Sequence, residues 1–238
     1  MMSRILAAAS LIVAAGTANA AIISFGSSTA DAAWTFTGNG AAVSDATGPN
    51  DFLTLQIDDN NGPLPVISVS TQFNAQYNLA YVASVPLGGG AFSHNYLAEG
   101  TFSFQDVASG ITILTVNFSN ALFTARGGQA SWYTTAALQG DNNGGAVVSY
   151  TWNGAALPGY GLAPGTFPGD FAFDLAVLNS SGAIPYAGQA PGRALGANFL
   201  PSGQWWAESS YTGFTQIPAP GSLALLGLAG LAVSRRRR

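Results

Sequence analysis

Thr101-Phe102-Ser103-Phe104-Gln105-Asp106, then Ser109-Gly110, then Ile111-Thr112-Ile113-Leu114-Thr115-Val116-Asn117-Phe118 is the stretch that decides the fold. Phe102 and Phe104 fall on one side of an extended chain, and Leu114, Val116 and Phe118 alternate with Thr115 and Asn117. Period-two alternation enriched in β-branched and aromatic residues is the signature of a half-buried strand. The Ser-Gly pair between the runs supplies turn chemistry, so 101–118 reads as one β-hairpin.

The same alternation recurs on either side. Leu53, Leu55 and Ile57 share a face, as do Tyr77, Leu79 and Tyr81, and Phe171, Phe173 and Leu175. Val147–Trp152 reads as another strand. Turn signals lie between the runs at Asn60-Asn61-Gly62, Asn142-Asn143-Gly144 and Asn153-Gly154, the last read as a hairpin turn. The Gly- and Pro-rich segment 157–168 reads as a long loop, and no internal repeat is apparent. No stretch outside the termini keeps apolar spacing at i, i+3, i+4 long enough for a helix. Thirty glycines and twelve prolines also suit many short strands better than helices. These features predict an all-β domain, an antiparallel β-sandwich of jelly-roll type with about ten strands.

Charge and cysteine usage narrow the chemistry. The chain has no Lys; its seven cations are Arg4, Arg126, Arg193 and Arg235 to Arg238. With the two ends set aside, two arginines face eleven acids, a net charge of −9. Such a domain repels phosphate backbones, so nucleic acid is not an expected partner. With no Cys there is neither a disulfide framework nor a thiolate metal site.

The ends are distinct. Met1-Met2-Ser3-Arg4 precedes an apolar run, Ile5 to Ala15, and then Gly16-Thr17-Ala18-Asn19-Ala20. One positive charge, a short apolar core and small residues at Ala18 and Ala20 predict a secretory signal peptide over 1–20, cut by signal peptidase to leave Ala21 first. At the other end Pro218-Ala219-Pro220 leads into an apolar stretch from Gly221 to Val233, and Ser234 then introduces Arg235-Arg236-Arg237-Arg238. The prolines end any upstream element, and the run predicts a short hydrophobic helix of roughly 20 Å. Terminal arginines hold such a helix end on the cytoplasmic side, so the inner membrane is its expected transient location.

Proline-x-proline, a short Leu/Ala/Gly helix and an Arg cluster together resemble the PEP-CTERM sorting signal of Gram-negative bacteria. The usual Pro-Glu-Pro is Pro-Ala-Pro here, with Ala219 in the acid's place. The resemblance covers 217–238 and leaves 21–216 as the exported domain. It implies processing by an exosortase-type enzyme, delivery to the cell surface or extracellular matrix, and bacteria that make exopolysaccharide and biofilm.

Within the domain no catalytic signature appears, and the expected role is structural or adhesive rather than enzymatic. His94 is the one histidine, read as a loop residue, and no Gly-x-Ser-x-Gly elbow or zinc motif accompanies it. A polysaccharide hydrolase would need two acids close together in a cleft. Glu99, Glu208, Asp170 and Asp174 are the residues available for that role. No cofactor is expected beyond calcium, for which Asp58, Asp59 and Asp141 offer hard oxygens on turns. A carbohydrate-binding module is the alternative: adjacent Trp205 and Trp206 place one ring outward on a strand, with Trp132 and Tyr211 extending a stacking surface for extracellular polysaccharide.

Overall fold

The hairpin read from residues 101–118 forms, but as the inner part of two much longer strands. A computed structural model of the chain describes residues 20–26, 33–37, 42–47, 52–60, 62–179, 194–196, 198–201 and 203–215. The predicted signal peptide up to residue 19, and the C-terminal helix, lie outside them. Within them run β1 (Ile22–Gly26), β2 (Ala33–Thr37), β3 (Ala42–Ala46), β4 (Leu53–Asp58), β5 (Ile67–Gly88), β6 (Ala91–Asp106), β7 (Thr112–Gly128), β8 (Ser131–Gly140), β9 (Val147–Trp152), β10 (Gly165–Asn179) and β11 (Gly203–Thr215). Short 3₁₀ turns occupy Asn142–Gly144 and Pro158–Tyr160.

Every strand pair is antiparallel. Where two sheets are expected from the sequence, the strands hydrogen-bond into one. The order β11-β1-β4-β5-β6-β7-β8-β10 closes on itself because β10 also pairs with β11. β4 through β8 are neighbours in chain order, a meander rather than a jelly-roll order. The ring forks where long strands outrun their neighbours. β7 pairs with β9 through residues 114–119 and with β8 through residues 122–128. β5 likewise pairs with β4 along its first part and with β3 further on. Closure removes the exposed edges that an open sheet would present.

Side chains alternate accordingly. β4 reads buried-exposed from Leu53, Leu55 and Ile57 against Thr54 and Gln56. The interior is packed with aromatic rings, with Phe102 at their centre, so it is a core and not a channel. Outward positions on the first part of β5 are Ser68, Ser70, Asn74, Gln76 and Asn78, all exposed, while further along the strand Val82, Val85 and Leu87 are exposed.

Three local readings need correction. His94 is not in a loop; it is a fully buried residue of β6. Asn153-Gly154 does not close a tight hairpin, since β9 and β10 are joined by residues 153–164, which contain the second 3₁₀ turn. Residues 165–168, placed in the loop for their Gly and Pro content, instead pair with β9. Pro168 lacks an N–H to donate, and it is the last residue of β10 paired with β9, beside Gly169 where the pairing with β11 begins.

The start and finish of the described domain meet. The Ala21 backbone N–H donates to Thr215 Oγ1 at 3.0 Å, and the Thr215 N–H returns to the Ala21 carbonyl at 3.1 Å. The segments that precede β1 and follow β11 therefore leave from the same place.

Candidate functional site

Three of the four aromatics assigned to a stacking surface are core residues. Trp132 and Trp205 have no exposed area and Tyr211 retains 1 %. The reason is pairing geometry: Trp132 packs edge-on against Tyr96 at 5.6 Å and against Trp205 at 6.4 Å, and its indole N–H donates to Tyr96 Oη at 2.9 Å. Tyr211 stacks on Phe25 at 5.7 Å and its hydroxyl lies 2.5 Å from that of Tyr150, which donates to the Asp170 carbonyl. Burial drives the Tyr150 and Tyr211 hydroxyls well above their ordinary pKa, so both stay neutral and act as hydrogen-bonding pins. Only Trp206, on the other face of β11, is half-exposed, as strand alternation requires.

The calcium candidates lie on two separate turns. Asp58 Oδ1 accepts the Asn60 N–H, Asp59 Oδ2 accepts the Leu64 N–H, and Asp141 Oδ1 accepts the Asn143 N–H as the cap of the first 3₁₀ turn. These are turn-stabilising roles. Among the described residues no three His, Asp or Glu side chains gather in a metal-binding group. Asp170 and Asp174 sit on one face of β10 about 13 Å apart at the rise of a strand, too far for a catalytic pair. Asp170 Oδ1 is engaged by the Asn142 N–H at 2.8 Å.

His94 does meet a serine. Its Nε2 lies 2.8 Å from the Gly128 carbonyl, which can only accept, so Nε2–H donates there. Nδ1 shares a 2.7 Å hydrogen bond with Ser84 Oγ, which shares another of 2.9 Å with Tyr81 Oη. The ring is covered by Phe92 at 6.2 Å and Phe199 at 6.4 Å. This chain of bonds ties β5, β6 and the end of β7 together around a buried imidazole. Ser84→Ala is expected to cost about 1–2 kcal/mol in a urea unfolding curve, because it strands Nδ1 in the interior. No loss would mean that the hydrogen bond is not maintained.

What the strands do assemble on the outside is a regular array. In one row Ser44, Gln76, Thr101, Asn117 and Ser149 stand opposite one another across β3, β5, β6, β7 and β9. In the next, Asn74, Ser103, Thr115, Thr151 and Thr166 do so across β5, β6, β7, β9 and β10. All ten are exposed or half-exposed, and none is charged or large and apolar. The rows are braced from within: Thr101 Oγ1 donates to Asn117 Oδ1 at 2.9 Å, and the Thr151 and Thr166 hydroxyls are 2.9 Å apart.

A groove of about 460 Å³ opens over one end of the first row, lined by Ser44, Gln76, Asn78, Glu99 and Thr101. Gly100 lies beside it, where a Cβ would overlap the Gln76 carbonyl and the Tyr77 side chain. The face formed by β7, β8 and β10 differs. There Leu122, Gln139 and Ala172 make one row and Thr124, Ala137 and Asp174 the next, with Arg126 nearby as the single arginine among the described residues. Sequence reasoning missed the array by following only the apolar half of each alternation. The signal was the other half, Ser68-x-Ser70-x-Gln72-x-Asn74-x-Gln76-x-Asn78.

The remaining predicted positions, Pro218, Ala219, Pro220 and Arg235, Arg236, Arg237 and Arg238, follow β11 and lie outside the described residues, as does Ala18. The family model of the PEP-CTERM protein-sorting motif matches residues 216–238. The chain carries a PEP-CTERM sorting motif. Its boundary falls directly after Thr215, the last residue of β11. The PEP-CTERM motif implies export and membrane-associated sorting by an exosortase-type enzyme. It covers the tail alone and leaves the activity of the β domain to be argued from its own residues. No curated protein and no solved structure matches the chain.

Proposed function

We propose that the β domain is a structural or adhesive component of the cell surface or extracellular matrix, delivered there by exosortase sorting and without catalytic activity of its own. The observation that carries the reading is the join between Thr215 and the sorting motif: a closed, aromatic-filled β domain runs straight into a segment whose business is delivery. Its surface supports the same role. An acidic net charge keeps exported copies apart until they are sorted, and the outward rows offer hydrogen bonds without strong fields.

The polysaccharide-hydrolase alternative keeps one pair of acids, Asp174 and Glu208, which are diagonal neighbours on the outer face because Asp174 stands opposite Ser210 and Ala176 opposite Glu208. The aromatic-platform version of a carbohydrate-binding module loses Trp132, Trp205 and Tyr211 to the core. Deleting the gene should reduce attached biomass severalfold, and the protein itself should fractionate with matrix or surface material. Recovery of the protein only from periplasm, with attachment unchanged, would overturn the proposal. Release of reducing ends from the matrix polysaccharide by the purified protein would replace it with the hydrolase.

A further inference from the structure

The paired rows of Ser, Thr, Asn and Gln have a regularity that solvation alone does not require. Adjacent strands lie about 4.8 Å apart and alternate residues of a strand roughly 7 Å apart, so each row of five spans about 19 Å beside its neighbour. The polar groups thus repeat at near-constant spacing along a line that crosses the strands. The adjoining β7-β8-β10 face of the same sheet, with its Leu, Ala, Arg and Asp, shows that the array is not simply what this chain places at every outward position.

We propose that the two rows form a binding surface for an extended, uncharged, hydroxyl-rich polysaccharide lying across the strands. The proposal rests on the matrix placement argued above and gives that placement a ligand class. Charge selects the partner. The domain carries a net −9, and Glu99 lines the groove over the first row, so an anionic polymer or a second copy of the chain would be repelled. An apolar protein patch would find no large apolar side chain on either row to bury. A neutral polyol can both donate to and accept from each hydroxyl and amide, and its transfer strands no charge.

The face is also prepared for binding. Ser and Thr side chains have little rotamer freedom to lose, and the Thr101–Asn117 and Thr151–Thr166 bonds already fix four of the ten groups. The groove beside Gly100 gives one end of the line a recess in which a ring substituent can sit.

Affinity electrophoresis of the protein as recovered from cells, through gels containing hydroxyethyl cellulose, dextran or galactomannan, tests this, with alginate as the anionic comparison. The expected result is retardation by at least one neutral polymer and none by alginate. Gln76→Ala/Asn117→Ala should weaken that retardation about tenfold or more, while Thr135→Ala, on the other face, should leave it unchanged. The near-isosteric Asn117→Asp places a charge in the row without altering its shape, and serves if the double variant does not fold; it too should weaken binding. No retardation by any of the three neutral polymers, retardation that both row variants leave intact, or stronger retardation by alginate would overturn the proposal. None of these failures touches the delivery reading, which rests on fractionation and attachment.

Discussion

Phe102→Ala should lower the stability of the β domain by about 3–5 kcal/mol, the largest loss expected from any single side-chain truncation in it. Phe102 is fully buried near the middle of β6 and meets rings from four other strands. Phe118 on β7 lies 4.9 Å away, Phe173 and Phe171 on β10 lie 5.2 and 5.4 Å away, Phe73 on β5 5.9 Å and Tyr211 on β11 5.9 Å. The ring therefore bridges opposite walls of the closed sheet. Removing it opens a void that β5, β7, β10 and β11 cannot close without moving together, so the cavity cost adds to the lost burial. A domain of ordinary stability, about 5–15 kcal/mol, would be left marginal. Denaturant unfolding of the variant beside Phe214→Ala, whose ring is 42 % exposed on the outer face, gives the comparison. The second change should cost far less, and similar losses from both would mean that Phe102 is not at the centre of the core.

The second large effect is a dependence on pH in an unusual direction. Asp45 lies on β3 with its side chain turned inward, 3 % exposed, and neither carboxylate oxygen has a hydrogen-bond partner among the described residues. Burial raises its pKa from 3.8 to about 7, and the nearby Ala46 N–H offsets only part of that. The Tyr77 hydroxyl is held well above its ordinary pKa, chiefly by burial and secondarily by the charge of Asp45. Between 3.8 and about 7 the folded chain keeps a proton that the unfolded chain has released. Stability must then fall as pH rises through that window and level off above it.

A shift of that size corresponds to about 2–4 kcal/mol between the ends of the window. Asp106 works in the opposite sense at lower pH. Its carboxyl is held below the usual range, first by the Ser109 hydroxyl and also by backbone N–H groups, so its contribution disappears only as the solution becomes strongly acidic. Unfolding curves from about pH 5 to about pH 8 should show the decline in the unaltered protein and its near-absence in Asp45→Asn. An unaltered protein as stable at the upper limit as at the lower would contradict the burial of an unpaired acid on β3.

Asp45 also marks a limit of what the sequence conveys. In Ala42-Val43-Ser44-Asp45-Ala46 the alternation sends Val43 and Asp45 inward together, and nothing in the residue types announces that an acid will be enclosed. The local elements were far easier to read. Phe102 and Phe104 against Ser103, and Leu114, Val116 and Phe118 against Thr115 and Asn117, state strand and inward face directly, because a two-residue period has only two sides. Strand length was less legible. β5 continues past Tyr81 to Gly88 through Ser84, Pro86 and Gly88, residues that read as punctuation but sit in a hairpin arm joined through Gly89 and Gly90. Closure was not legible at all, since the β10–β11 pairing joins residues about forty positions apart and depends on the sheet's accumulated twist.

The candidate surface followed the same division. Trp205 and Trp206 were correctly placed on opposite faces of a strand, but which face was inner depended on closure, and Trp132 was taken into the core by Tyr96. The polar rows need the register of six strands at once, which no single segment contains. The tail required none of this. Its meaning lies in the order of Pro218-Ala219-Pro220, an apolar run and four arginines, and a linear signal read by an enzyme is legible in a linear sequence.

That tail is where the account is most directly exposed to test. Intact-mass and C-terminal peptide analysis of the protein recovered from the cell surface or matrix should show a chain beginning at Ala21 and ending upstream of Arg235, with the arginine cluster removed, in cells that have an active exosortase. A surface-recovered chain that still carries Arg235, Arg236, Arg237 and Arg238 would contradict exosortase sorting.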